Sequence, residues 1–280
     1  MRATVSSAAV RLVPADSLGF DALSRLFNEA YSDYFVPLHL DPAALEFTVA
    51  ICNIDLASSC VAIEDDEPAS FAFLAARGDE GWIGGMGTVL DRRRRGLGEA
   101  ALSDVLDRAR GCGLTSVRLE VIHENEPARA LYEKLGFRVE RNLVVWTVDA
   151  PAVPTGPTTS LPAEEARAWI AANRLGPEPW QRADETLDRW TEHGLELAGL
   201  AVEQDGEVRG ALVYRAADPP GVLQVSARDV KSAEALLAAV AAQHGGFRLL
   251  NAPADEPASL ACERLDARAD VRQHEMRLTL

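Results

Sequence analysis

The chain is short of positive charge, of paired cysteines and of long apolar runs, and each shortage removes a class of function. Asp and Glu number 43 against 28 Lys and Arg, a formal net charge of -15. Non-specific nucleic-acid binding needs a basic footprint, so this balance argues against it. The acidity suits a cationic or neutral substrate, or simply solubility. Lysine occurs only at Lys134 and Lys231, so nearly all positive charge is arginine. The cysteines Cys52, Cys60, Cys112 and Cys262 form no C-x-x-C pair and do not cluster with histidine. That spacing suggests neither a structural zinc site nor a disulfide framework, and it predicts plain thiols in a reducing cytoplasm, with no metal. No apolar run approaches the roughly 18 residues that span a bilayer. The first residues lack the basic-then-apolar build of a signal peptide, so a cytoplasmic protein with no membrane partner is expected.

What is present is ordinary globular material, 280 residues of which 48% are hydrophobic, enough for two domains. A stretch rich in Pro, Thr, Ser and Gly, residues 151–162, reads as a linker between a domain over 1–150 and another over 163–280. In the first, a short strand (9–14) and an amphipathic helix (18–31) lead into an aromatic, proline-broken loop carrying Tyr31, Tyr34, Phe35 and His39. A second helix (43–54) follows Asp41 as cap and Pro42. Strands over 59–64 and 70–76 form a hairpin about Asp65 to Pro68, and a third strand (81–90) carries Gly84, Gly85 and Gly87, the signature of a bulge or a close backbone approach. A helix (99–110), a strand (116–122) interrupted by Glu120, a short helix (125–135) and a closing strand (139–148) complete it.

The centre of this domain is the turn Arg92, Arg93, Arg94, Arg95, Gly96, Leu97, Gly98 between a strand and a helix. Glycines let the main chain approach a ligand, and the helix aims unpaired amides and its positive end at the same place, so the natural guest is a phosphate. The lysine of a nucleotide-triphosphate loop is missing. Four arginines can also be a merely solvated turn.

The second half echoes the first. Glu126, Pro127 and Ala128 align with Glu256, Pro257 and Ala258, 130 positions on, and the register carries Leu119 to Leu249, Glu133 to Glu263 and Leu135 to Leu265. Duplication accounts for the shared order of strand, helix and strand. In that register Val222 to Arg228 stands opposite the glycine turn with no glycine and one arginine, Cys262 opposite Tyr132, and Asp255 opposite Asn125.

Arg93, Gly96 and Gly98 match the R/Q-x-x-G-x-G/A signature of the GNAT superfamily of N-acetyltransferases, and Asn125, Ala128, Leu131, Tyr132, Gly136 and Phe137 match its N-x-x-A-x-x-L-Y-x-x-x-G-F pattern. The chain resembles that superfamily over residues 9–148, with a degenerate echo over 163–280. The resemblance implies an α/β fold, with two GNAT-like domains, each a central mixed, mostly antiparallel sheet flanked by helices, the first catalytic and the second lacking the cofactor loop. It implies acetyl-CoA as co-substrate, held by Thr88, Val89, Leu90, Arg93, Arg94, Arg95, Gly96, Leu97, Gly98, Glu99, Asn125 and Tyr132, with the pantetheine arm between the strands 82–90 and 116–122. Direct attack by a primary amine through a tetrahedral intermediate is implied, with Glu120 as base, directly or through water, and Tyr132 protonating the thiolate. A salt-bridged strand residue is the alternative for Glu120, a packed core residue for Tyr132, and a proton relay or a solvated loop residue for His123. The acceptor, a small-molecule amine or a peptide, is left open, and a homodimer is compatible with all of this. A non-catalytic acyl-CoA sensor or interaction module is the other class of function.

Overall fold

Caps and turns set most element boundaries in the computed structural model, which describes residues 10–217 and 220–280. Ala9, predicted to start the first strand, lies outside the described residues. Strand β1 (Arg11–Pro14) precedes helix α1 (Phe20–Ala30), which buries Leu23, Leu26, Phe27 and Ala30. Helix α2 (Pro42–Cys52) starts where Asp41 accepts a 2.8 Å hydrogen bond from the Ala44 amide and Pro42 presets the first turn. Strands β2 (Ile54–Glu64) and β3 (Glu67–Arg77) meet at Asp65 and Asp66, both with positive φ, the conformation that matches a two-residue hairpin to strand twist. Strand β4 (Glu80–Thr88), helix α3 (Leu97–Gly111), strand β5 (Ser116–Ile122), helix α4 (Glu126–Lys134) and strand β6 (Arg138–Val148) follow. Leu90, predicted as strand, instead opens a 3-10 turn through Arg92.

The second half runs β7 (Thr159–Leu161), α5 (Ala163–Asn173), α6 (Asp184–Glu192), β8 (Ala198–Gln204), β9 (Glu207–Arg215), β10 (Gly221–Ala227), α7 (Val230–His244), β11 (Phe247–Pro253), α8 (Pro257–Arg264) and β12 (Arg268–Thr279). Thr159 to Leu161, within the predicted linker 151–162, are thus a strand, paired with β8.

The chain divides into two units, one made of the described residues up to Val121, 125–138 and 276–280, the other of 122–124 and 139–275. In the first, β1 to β5 lie in sequence order, antiparallel except for the parallel β4/β5 pair. Beyond β5 the chain end belongs to this unit, with the Leu280 amide bonded to Thr115 O at 3.0 Å. Helix α3 presses Leu102, Val105 and Leu106 onto Leu74, Val117, Leu119 and Met276, while Phe27, Phe71 and Phe73 stack beneath α1. The second unit has the order β12, β6, β11, β10, β9, β8, β7. Strand β6 therefore does not close the first unit; it pairs antiparallel with β11, Trp146 opposite Leu249. Its run Leu143 to Trp146 is buried throughout, so its pattern names no partner. Both units are mixed, mostly antiparallel sheets flanked by helices, the architecture the sequence predicts.

Candidate active site

Strands β4 and β5 run together only at Glu80/Ser116, Gly81/Val117 and Trp82/Arg118. Beyond that rung β4 bulges at Gly84, where its register with β3 slips between Phe73 and Leu74. The two strands then part, and the edge of β4 from Ile83 to Thr88 has no strand on the β5 side. Among its groups, the Met86 N–H and C=O both meet the Tyr31 hydroxyl, which donates to Met86 O at 3.0 Å and accepts from Met86 N at 3.3 Å. The Val89 amide donates to Ala69 O at 2.9 Å, so it has no proton left for a ligand.

At the mouth of this split stands the glycine turn. Gly96 takes φ +82°, a left-handed conformation, and is the N-cap of α3 with no side chain capping the helix. The first amides of α3 therefore point outward unpaired. A Cβ on Gly98 would lie 3.1 Å from Thr88 Oγ1 and 3.2 Å from Met86 Cε, so this position packs the helix start directly on β4. Three of the four arginines hold the turn in shape. Arg92 and Arg95 share the buried Glu64 carboxylate at 2.8 and 3.0 Å. Arg93 forks onto Asp33 at 2.6 and 2.7 Å and donates to Ala30 O and Thr88 O. That arginine holds the Asp33 carboxyl below its ordinary range. Arg94, at φ +65°, is exposed and pairs with no carboxylate among the described residues. Leu97 is buried against Ala62 and Ala69, and Glu99 pairs with Lys134 at 2.7 Å. Of the predicted cofactor residues, then, the outward contributions come from Arg94 and the α3 amides, and the side chains of Arg93, Arg95 and Glu99 have partners within the protein.

Glu120 lies on β5 two residues past the last rung, where its Oε2 accepts the Trp82 indole N–H at 2.8 Å. Tyr132, on α4, is 7% exposed and packs edge-on against Phe137. Its hydroxyl makes no hydrogen bond among the described residues. Burial, with Tyr31 and Tyr34 close by, pushes that hydroxyl well above the ordinary phenol range, so it stays protonated. Asn125 caps α4, accepting from the Ala128 amide at 3.3 Å. Tyr31 and Tyr34 sit edge to face, 4.8 Å between centroids. The sequence places this aromatic pair in the loop after the first helix and gives it no role. The signal it missed was the Tyr31 hydroxyl, whose partner is backbone 55 residues away. His123 belongs to the second unit, its ring stacked 4.0 Å from that of His274.

The residues present suit a coenzyme A thioester. An uncapped helix start with an unpaired arginine suits an anion, a strand edge without a neighbour suits an extended amide-bearing arm, and a protonated, unpartnered phenol suits a thiolate. Among the described residues no group of three His, Cys, Asp or Glu is placed to hold a metal, and no helix is long and apolar enough to cross a membrane.

Comparison with known proteins agrees with this geometry. Residues 20–137 match the model of the acetyltransferase (GNAT) family. The chain is 38% identical over 73 residues, 26% of its own length, to the [ribosomal protein bS18]-alanine N-acetyltransferase of Salmonella typhimurium, and spans 49% of that relative. A GCN5-related N-acetyltransferase from Sphaerobacter thermophilus superposes with a TM-score of 0.69 at 17% identity, covering 96% of this chain and 95% of the other. A tandem GNAT protein from the clavulanic acid biosynthesis pathway gives 0.63 at 15%, covering 97% and 98%. These two likenesses show the fold. Residues 20–137 thus resemble the acetyltransferase (GNAT) family, and the fold of the chain is similar to that of a tandem GNAT protein.

Proposed function

We propose that the first unit transfers an acetyl group from acetyl-CoA to a primary amine. The observation that carries this reading is the conjunction in one unit of an uncapped α3 start behind Gly96, a β4/β5 split, and the unpartnered Tyr132 hydroxyl. The α3 amides and Arg94 receive the pyrophosphate, and the pantetheine arm lies along β4 in the split, its amides exchanging for the Tyr31 hydroxyl that meets the Met86 N–H and C=O there. Glu120 at the rim of the split takes the proton of the attacking ammonium, directly or through a water, freeing the lone pair. The amine nitrogen bonds to the thioester carbon, giving a tetrahedral oxyanion that amide protons on the β4 edge stabilise. As the C–S bond breaks, Tyr132 gives its proton to the thiolate, the nitrogen sheds its second proton, which returns through water to the phenolate, and the neutral acetylated amine leaves with CoA as the free thiol.

The acidic surface favours a cationic acceptor, a small-molecule amine or a peptide N-terminus, and the Salmonella relative, which by its name acts on an alanine, is in line with the latter. The second unit carries no catalysis. The test is calorimetric titration of the full chain with acetyl-CoA. Saturable binding is expected, lost when Gly96 and Gly98 are both replaced by leucine, because the left-handed turn and the 3.1 Å approach to Thr88 Oγ1 admit no side chain. No binding to the unaltered chain overturns the proposal.

A further inference from the structure

The second unit repeats the strand split of the first and fills it. Strands β10 and β11 pair in parallel only at Gly221/Arg248 and Val222/Leu249. Immediately beyond, β10 bulges, its register with β9 slipping between Val222 and Gln224. Strand β11 also loses register with β6, between Leu249 and Ala252, and Asn251 there takes φ +48°. In the first unit the same divergence leaves the β4 edge without a strand. Here the gap holds the side chain of Arg182, 1% exposed. Its Nε donates to Leu223 O on β10 at 2.8 Å, and its Nη1 stands 3.4 Å from both Leu250 O and Asn251 O on β11. One guanidinium thus bonds carbonyls of both strands, in the span a ligand arm would cross.

Its charge is matched within the unit. Arg182 Nη2 pairs with Glu178 at 3.1 Å, and that carboxylate is itself nearly fully buried. The short 3-10 turn Trp180–Arg182 that delivers the side chain is pinned by Thr186 Oγ1 on Trp180 O at 2.6 Å and by Gln224 Nε2 on Arg182 O at 2.7 Å. This side chain is built in rather than draped over the surface.

The anion end is filled as well. The 130-residue register placed Val222 to Arg228 opposite the glycine turn, but 221–227 is strand β10, and only Arg228 and Asp229 separate it from α7. The loop has been shortened away. Where Gly96 leaves α3 uncapped, Asp229 caps α7 with its carboxylate, accepting from the Ser232 amide at 2.8 Å, and Arg209 pairs with it at 3.2 Å. A carboxylate sits at the helix start that a phosphate would need.

We infer that the second unit occupies its own donor cleft, with Arg182 in the strand split and Asp229 at the helix start, and that the chain consequently has one acyl-CoA site. This rests on the donor site proposed for the first unit. It also assigns the buried Arg182 and Glu178 a role that the reaction does not use: they close a split that strand pairing leaves open. Removing the arginine orphans three carbonyls and a buried carboxylate.

The experiment has two arms. In the first, thermal unfolding of Arg182→Ala is followed with and without millimolar methylguanidinium. A fall in Tm on the order of 10 °C is expected, partly restored by methylguanidinium but not by methylammonium, with the unaltered chain unaffected by either. An unchanged Tm, or no preferential rescue, overturns the inference. If the alanine variant does not fold, Arg182→Lys takes its place. It keeps the charge opposite Glu178 and cannot bridge both strands, so a smaller fall is expected, and no fall overturns the inference. In the second arm, native mass spectrometry counts acetyl-CoA on the full chain. One per chain, none after Gly98→Leu, supports it. Two per chain, or one that survives Gly98→Leu, overturns it. None on the unaltered chain tells against the donor site of the first unit, and the rescue arm then decides the self-occupied cleft on its own.

Discussion

Replacing Tyr132 by phenylalanine separates a chemical role from a structural one, because the hydroxyl has no hydrogen-bond partner among the described residues. The ring is 7% exposed and packs on Phe137, and phenylalanine keeps that packing. Deleting a hydroxyl without a protein partner leaves no orphaned group, so stability should move by no more than about 0.5 kcal/mol. Loss of a positioned acid costs about 10²- to 10⁴-fold in rate, or roughly 2.7–5.4 kcal/mol of barrier. The assay pairs thermal unfolding with thiol release at saturating acetyl-CoA. The expected result is an unchanged Tm, retained donor binding and a fall in kcat of that size. The upward shift of the phenol adds a pH signature: this group stays protonated, so it should cause no alkaline fall in the kcat of the unaltered chain below pH about 10. An unchanged kcat, or a Tm loss worth more than about 1.5 kcal/mol, would refute the reasoning, the latter by revealing a structural bond for the hydroxyl.

Glu120→Gln keeps an oxygen to accept the 2.8 Å bond from Trp82 Nε1, so the fold should persist while kcat drops about 10²-fold or more at neutral pH. A full-rate variant would reduce Glu120 to a strand residue that orients Trp82. At the second unit, the Ser232 amide above all lowers the Asp229 carboxyl, with further help from Arg209. A depressed carboxyl contributes stability above its unfolded value of about 3.9 and loses it as pH falls through the folded one. Urea midpoints from pH 6 to pH 3 should therefore fall less steeply for Asp229→Asn, and parallel slopes would contradict the assignment.

Much of this was legible in sequence because its causes are local. Asp41 before Pro42, Asn125 before Pro127, the Asp65–Asp66 turn and the glycines of the turn before α3 each act within a few residues, and each appears where its chemistry requires. The bulge was written in Gly84 among its neighbouring glycines. What escaped involves partners far along the chain. Strand β6 is apolar on both faces over its second half, so nothing in it says that it pairs with β11. The resemblance gives Arg93, Arg94 and Arg95 the same part, yet the distant carboxylates Glu64 and Asp33 divide the run into three structural ties and one outward charge. Tyr31 and Arg182 act on backbone 41 to 69 positions away, and no spacing rule reaches that far. A fixed 130-residue register could not show a shortened loop, which is why strand β10 was set opposite the glycine turn.

The most direct measurement is free-thiol release from acetyl-CoA across a panel of amines, from polyamines and amino acids to peptide N-termini, with the full chain. The account predicts release that depends on the amine, saturates with it and leaves an acetylated amine of equal amount. Donor binding with no amine-dependent release across the panel would contradict it and leave the chain an acyl-CoA-binding protein without turnover.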